Sequence, residues 1–98
     1  MAKVRFSPAA RADLKEIGRF SRREFGLPVA EKYLLALKNA FDVLRDHPES
    51  GSVREEFGST IRCLTYRRHR AFYEIDGEVV LVLRIFHHAR DVKRSLLK

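Results

Sequence analysis

Charged and apolar positions alternate from Lys3 to Ser7, with Val4 and Phe6 on one side and Lys3 and Arg5 on the other, which is the period of a half-buried strand. Ser7-Pro8 follows, an N-cap and then a proline at the first helical position, where its missing amide hydrogen costs nothing. From there the period lengthens. Ala10, Leu14, Ile17 and Phe20 recur at helical spacing and predict one apolar stripe on a first helix, with Arg11, Lys15, Arg19 and Arg22 around the rest. Gly26 predicts its end and Pro28 a restart. Between Val29 and Asp46 the set Ala30, Tyr33, Leu34, Leu37, Phe41 and Leu44 is the clearest helical pattern in the chain. This second helix should be roughly 27 Å long, and the short connection makes the pair an antiparallel hairpin.

His47-Pro48 ends the second helix, because the residue before a proline is pushed out of the helical region. Glu49 to Thr60 then reads as a polar loop. Three strands follow, at about Ile61 to Tyr66, His69 to Ile75 and Glu78 to His87, the last two joined at Asp76-Gly77, a dipeptide suited to a tight hairpin turn. Val79 to Ile85 is apolar on both faces apart from Arg84, as a central strand should be. Asp91 to Leu97 reads as a short terminal helix or ordered tail. The whole predicts one α+β domain over residues 1–98: an N-terminal strand, an antiparallel helix hairpin, three further antiparallel strands and a short C-terminal helix or tail.

Composition narrows the function classes. With 98 residues, 45% of them apolar and 34% charged, the chain is an ordinary globular one whose thin core hides roughly 60–65% of its extended surface. The lone Cys63 can form no internal disulfide and build no structural zinc site, and its place in a strand predicts a buried thiol. No cofactor or metal is expected. No apolar run approaches the ~20 residues that cross a bilayer, and the start of the chain lacks the core of a signal peptide, so a cytoplasmic protein is expected. Twenty Lys and Arg against 13 Asp and Glu give a net charge of +7, which favours an anionic partner: nucleic acid, an acidic polypeptide or a nucleic-acid-bound enzyme.

Several segments, taken in order, resemble the ParE/RelE superfamily of bacterial type II toxins, and ParE more than RelE. They are Ser7 to Ile17 in the first helix, Ala30-Glu31-Lys32-Tyr33-Leu34 with Leu37 in the second, and then His47-Pro48-Glu49-Ser50-Gly51 and Ile61-Arg62. His69-Arg70-Ala71-Phe72-Tyr73, Leu83-Arg84-Ile85-Phe86-His87 and Arg90-Asp91 complete the set. The resemblance implies a toxin, of the kind that stabilises plasmids, neutralised in a hetero-oligomer by a cognate ParD-like antitoxin with a ribbon-helix-helix domain and an acidic or amphipathic segment. ParE-type toxins inhibit DNA gyrase, whereas RelE-type toxins cut messenger RNA on the ribosome. One departure stands out: His88 occupies the place where ParE chains commonly carry a glycine.

Each reading assigns different residues. Metal-independent RelE-like cleavage needs groups that move protons and cations that stabilise a phosphorane, for which the candidates are Arg62, Arg84 and His87 or His88. Those arginines read more readily as partners of carboxylates or of the antitoxin, and His87 as a hydrogen-bonded strand end. Arg54 stands beside Glu55 and Glu56 where RelE-type enzymes carry lysines, and the tail after Asp91 has no tyrosine, histidine or other acid-base side chain, its cations being Lys93, Arg94 and Lys98. An interaction protein would instead use the basic run Arg67, Arg68, His69 and Arg70, together with Arg90, Lys93 and Arg94 in the C-terminal segment Arg90 to Lys98, to contact its target or an anionic partner. The same run also reads as a solvated turn.

Overall fold

Ser7 closes the first strand and opens the first helix at once. In the computed structural model, which describes residues 1–97, its N–H donates to the Val82 carbonyl at 2.9 Å and its hydroxyl to the Leu83 carbonyl at 2.7 Å. The same hydroxyl oxygen accepts from the Ala10 amide at 3.0 Å, satisfying a donor that the first helical turn leaves orphaned. Strand β1 (Lys3–Phe6) therefore feeds directly into helix α1 (Pro8–Phe25). Gly26 is the whole connection to α2 (Leu27–Asp46), which stops at His47 as the following proline requires. β2 (Ser52–Val53), β3 (Arg62–Tyr66), β4 (His69–Asp76) and β5 (Val79–His87) complete a sheet of order β1-β5-β4-β3-β2.

The hairpin between β4 and β5 forms, but its two turn residues are Gly77 and Glu78 rather than Asp76 and Gly77, because Asp76 still pairs with Val79; Gly77 sits at φ 59°, a backbone angle glycine takes without strain. β5 is central, with β4 antiparallel on one side and β1 parallel on the other. The parallel pairing makes the sheet mixed. Alternation along Lys3 to Ser7 is the same for either direction, so only the tertiary fold decides it.

Both faces of the sheet are covered. On one, Ala71, Tyr73, Val80, Val82 and Ile85 pack against Ala10, Leu37, Phe41 and Leu44 of the helices. On the other, Ile61, Cys63, Phe72 and Phe86 close over Val92 and Leu97. The terminal segment is a 3-10 helix, Arg94–Leu97, pinned by that second cluster; Lys98 lies outside the described residues.

Two further expectations need correction. Phe20 does not join the stripe of α1: it is 50% exposed, and Ser21, one residue on, is the buried position. The segment from Glu49 to Thr60 is not merely a loop, since it contains β2 and a 3-10 turn, Glu55–Phe57. A two-residue strand has too few positions to show a period. What holds it is Tyr73, whose hydroxyl donates to the Pro48 carbonyl at 2.7 Å and accepts from the Gly51 amide at 2.8 Å. A Cβ on residue 51 would sit 2.6 Å from that oxygen, so only glycine permits the approach.

Tyr73→Phe keeps the ring and leaves the Gly51 amide and the Pro48 carbonyl without this partner, a loss of about 1–3 kcal/mol. A urea denaturation midpoint equal to that of the wild type would show that water replaces the hydroxyl at no cost.

Candidate functional site

Partners across strands share a face, and neighbours along a strand alternate. Arg62 pairs with Tyr73, which faces the helices, whereas Arg84 pairs with Phe72, which faces the second cluster. The two arginines offered for phosphorane stabilisation thus project from opposite faces. Each is already engaged. One Arg62 nitrogen donates to the carbonyls of Gly51 at 2.8 Å and Glu49 at 3.2 Å, adding to the bonds that hold β2. Arg84 forks onto Asp13 of α1, with Nε and Nη2 at 2.8 and 2.9 Å from the two carboxylate oxygens, while Nη1 donates to the Leu96 carbonyl at 3.2 Å. The Asp13 bond raises the Arg84 pKa further, so the guanidinium stays charged.

Asp13 is the residue that sequence reasoning missed here. β1 ends at Phe6 opposite Val82, so the rest of β5 has no strand neighbour on that side. The Asp13 carboxylate also accepts the Ile85 amide at 2.9 Å, capping this open edge. No spacing rule connects positions 71 apart in the chain.

The basic run divides. Arg67 and Arg68 form the tight turn between β3 and β4, and Arg67 adopts φ 51°, a left-handed conformation uncommon outside glycine and asparagine. Its Nε donates to the Tyr66 hydroxyl at 3.2 Å. His69 and Arg70 begin β4 and face opposite ways. Arg70 donates to the Arg90 carbonyl at 2.8 Å and lies over Phe72, leaving its buried Nε without a partner among the described residues. Arg90 in turn lies over the Phe86 ring, 4.7 Å from its centroid. Lys93 and Arg94 are exposed at the start of the terminal 3-10 helix.

His69 points toward α2, where its Nδ1 is 2.6 Å from the Tyr33 hydroxyl. Its ring meets His87 edge-on at 5.7 Å, and His87 stacks at a tilt on His88 at 4.5 Å. Burial, with His87 and His88 close by, lowers the His69 pKa from 6.5 to about 4. Burial raises that of Tyr33, against the Arg68 backbone amide, which favours the phenolate. Beside this pair opens a cleft of about 330 Å³ floored by the exposed side chains of Phe20, Phe25 and Val29. A second groove, between the two helices, is lined by Leu14, Gly18 and Leu34 with Lys15, Arg19 and Arg22 along it. Among the described residues no group of three or more His, Cys, Asp or Glu could hold a metal, and no helix is long and apolar enough to cross a membrane.

The arrangement is a helix hairpin bracing a mixed sheet, with cations displayed at a turn and a tail rather than converging on one reacting centre. That fold recurs in solved structures of toxin-antitoxin systems. One from the chromosomal ParDE toxin-antitoxin system of P. aeruginosa has a TM-score of 0.78 at 22% identity, covering 89% of this chain and 96% of that one. One from the RelBE2 toxin-antitoxin complex of Mycobacterium tuberculosis has a TM-score of 0.68 at 24% identity, covering 89% and 98%. At those identities the likeness speaks for the fold alone. The sequence carries the relationship further: residues 4–92 match the model of the ParE toxin of type II toxin-antitoxin systems, parDE. Toxin ParE1 of Mycobacterium tuberculosis is 36% identical over 91 residues, 92% of this chain and 93% of that protein, and toxin ParE1 of Caulobacter vibrioides is 27% identical over 96 residues, 98% and 99%. The chain belongs to the ParE toxin family.

Removing Asp13 tests the edge cap and the ion pair together. With side-chain exposures of 22% for Arg84 and 15% for Asp13, Asp13→Ala should cost on the order of 2 kcal/mol, above the roughly 0–1 of a surface pair. Asp13→Asn keeps an acceptor for the Ile85 amide and should cost less; equal losses in chemical denaturation would mean that this cap contributes nothing.

Folding keeps His69 neutral, so between pH 6.5 and 4 the unfolded chain takes up the proton more readily. Its contribution to stability is complete above about pH 6.5 and is lost as the pH falls toward 4. A His69 imidazole titrating near 6.5 by NMR would refute this.

Proposed function

We propose that this chain is the toxin of a bacterial toxin-antitoxin pair and that it acts in the cytoplasm by binding DNA gyrase and stabilising its broken-strand intermediate. It uses no cofactor and breaks no bond itself. The observation that carries this reading is the engagement of Arg84 by Asp13 and the Leu96 carbonyl, on the face of the sheet opposite to Arg62. A metal-independent nuclease needs a phosphate clamp and proton-transfer groups around one phosphorus. These two arginines stabilise the fold instead. Cations displayed at the turn and the tail, Arg67, Arg68, Lys93 and Arg94, remain for contact with the target, alongside Arg90, whereas His69 and Arg70, expected to join them, are turned onto Tyr33 and the Arg90 carbonyl. Membership of the ParE family over residues 4–92 supports the same choice.

Neutralisation falls to a ParD-like antitoxin with a ribbon-helix-helix domain, in a toxin-antitoxin hetero-oligomer of the kind that maintains plasmids. The groove between α1 and α2 has an apolar floor, with Lys15, Arg19, Arg22 and Lys38 against the single acidic residue Glu31. An amphipathic acidic segment matches both features.

In a supercoiling assay with purified gyrase, the toxin should abolish supercoiling and accumulate linear DNA, and Lys93→Glu with Arg94→Glu should relieve both effects. Unchanged gyrase activity at excess toxin, with codon-positioned cuts in messenger RNA during translation, would make the chain a RelE-like ribosome-dependent endoribonuclease instead.

A further inference from the structure

The cleft at the tip of the helix hairpin has a lining unlike the rest of the surface. Five of its nine residues carry rings, Phe20, Phe25, Tyr33, His69 and His87, and two more carry the flat guanidiniums of Arg67 and Arg68. None is a carboxylate. Phe20, Phe25 and Val29 are 50%, 51% and 51% exposed, so this apolar floor is left half-open by the described residues. The volume of about 330 Å³ lies in the range of small-molecule sites.

Part of the polar lining is held in place, His69 by Tyr33 and Arg67 by the Tyr66 hydroxyl. Arg67 keeps a left-handed backbone that costs an L residue stability and that glycine would adopt freely, and this turn sets two consecutive guanidiniums at the mouth. His69 is tied through Nδ1 to the Tyr33 hydroxyl, while its Nε2 has no hydrogen-bond partner among the described residues. An aliphatic anchor would fill the floor and leave both guanidiniums and the imidazole unanswered. A flat π-system joined to an anion answers all three, by stacking on the rings, hydrogen bonding at its edge and meeting the cations.

We infer that this cleft binds one nucleotide, its base against Phe20 and Phe25, its edge toward His69 and its phosphate at Arg67 and Arg68. The nucleotide is either free or an unpaired unit of a single strand. The binding follows from the lining of the cleft, which shares Arg67 and Arg68 with the target-contact surface proposed above.

Calorimetric titration of the purified full chain with tetrathymidylate, with thymidine monophosphate and with a short duplex tests it. Tetrathymidylate should bind, Phe25→Ala should weaken it about fivefold or more, and Arg67→Gly, which suits the left-handed backbone, should weaken it and flatten its salt dependence by about 0.7 in log-log slope. Circular dichroism confirms that both variants remain folded. Monophosphate binding with the same two sensitivities identifies a free nucleotide as the ligand, and its absence identifies a strand. Unaltered tetrathymidylate binding by both variants, or equal affinity for the duplex, would reduce the cleft to a general basic surface and overturn the inference. So would no nucleotide binding at all, with an acidic phenylalanine-containing peptide taking the cleft instead.

Discussion

The carboxylate of Asp13 is the point at which three separate parts of this molecule meet. It belongs to α1, it receives the fork of Arg84 from β5, and through Arg84 it reaches the carbonyl of Leu96 in the terminal 3-10 helix. The pair is shielded from most solvent, and each ion makes one further bond to backbone, Asp13 from the Ile85 amide and Arg84 to the Leu96 carbonyl. The chain terminus is held by two kinds of contact. Val92 and Leu97 supply its burial, and the ion pair supplies its register against α1.

This arrangement sorts the cations of a strongly basic chain into two groups. Arg62, Arg70 and Arg84 point back into the structure and donate to carbonyls or to Asp13. Arg67, Arg68, Lys93 and Arg94 remain at the periphery, at a turn and a tail. Charge of the first kind adds rigidity, and charge of the second kind steers encounters and selects partners. A net +7 does not distinguish them, because the distinction depends on which face of a strand each residue occupies.

The parts of the fold that were readable are those with a repeating period. The stripe through Ala30, Leu37, Phe41 and Leu44, the cap at Ser7, the stop before Pro48 and a tight turn using Gly77, one residue later than expected, all follow from local rules. The short strand at Ser52 and Val53 was hidden, because its stability comes from Tyr73, more than 20 positions away. The same limit applied to the candidate site. Arg62 and Arg84 look alike in the sequence, and only the register, interrupted by the bulge opposite Phe72 and Tyr73, assigns them to different faces. Phe20 and Ser21 sit side by side on α1, and helical spacing alone did not say which would turn inward.

The border of β5 beyond Val82 has a further consequence. Exposed sheet margins are templates on which extended chains accumulate, and fibrils grow from them. Here the hydroxyl of Ser7 and the carboxylate of Asp13 occupy successive backbone groups, so an incoming segment finds those sites already answered. Two side chains thereby replace a missing strand and shield this margin from self-assembly.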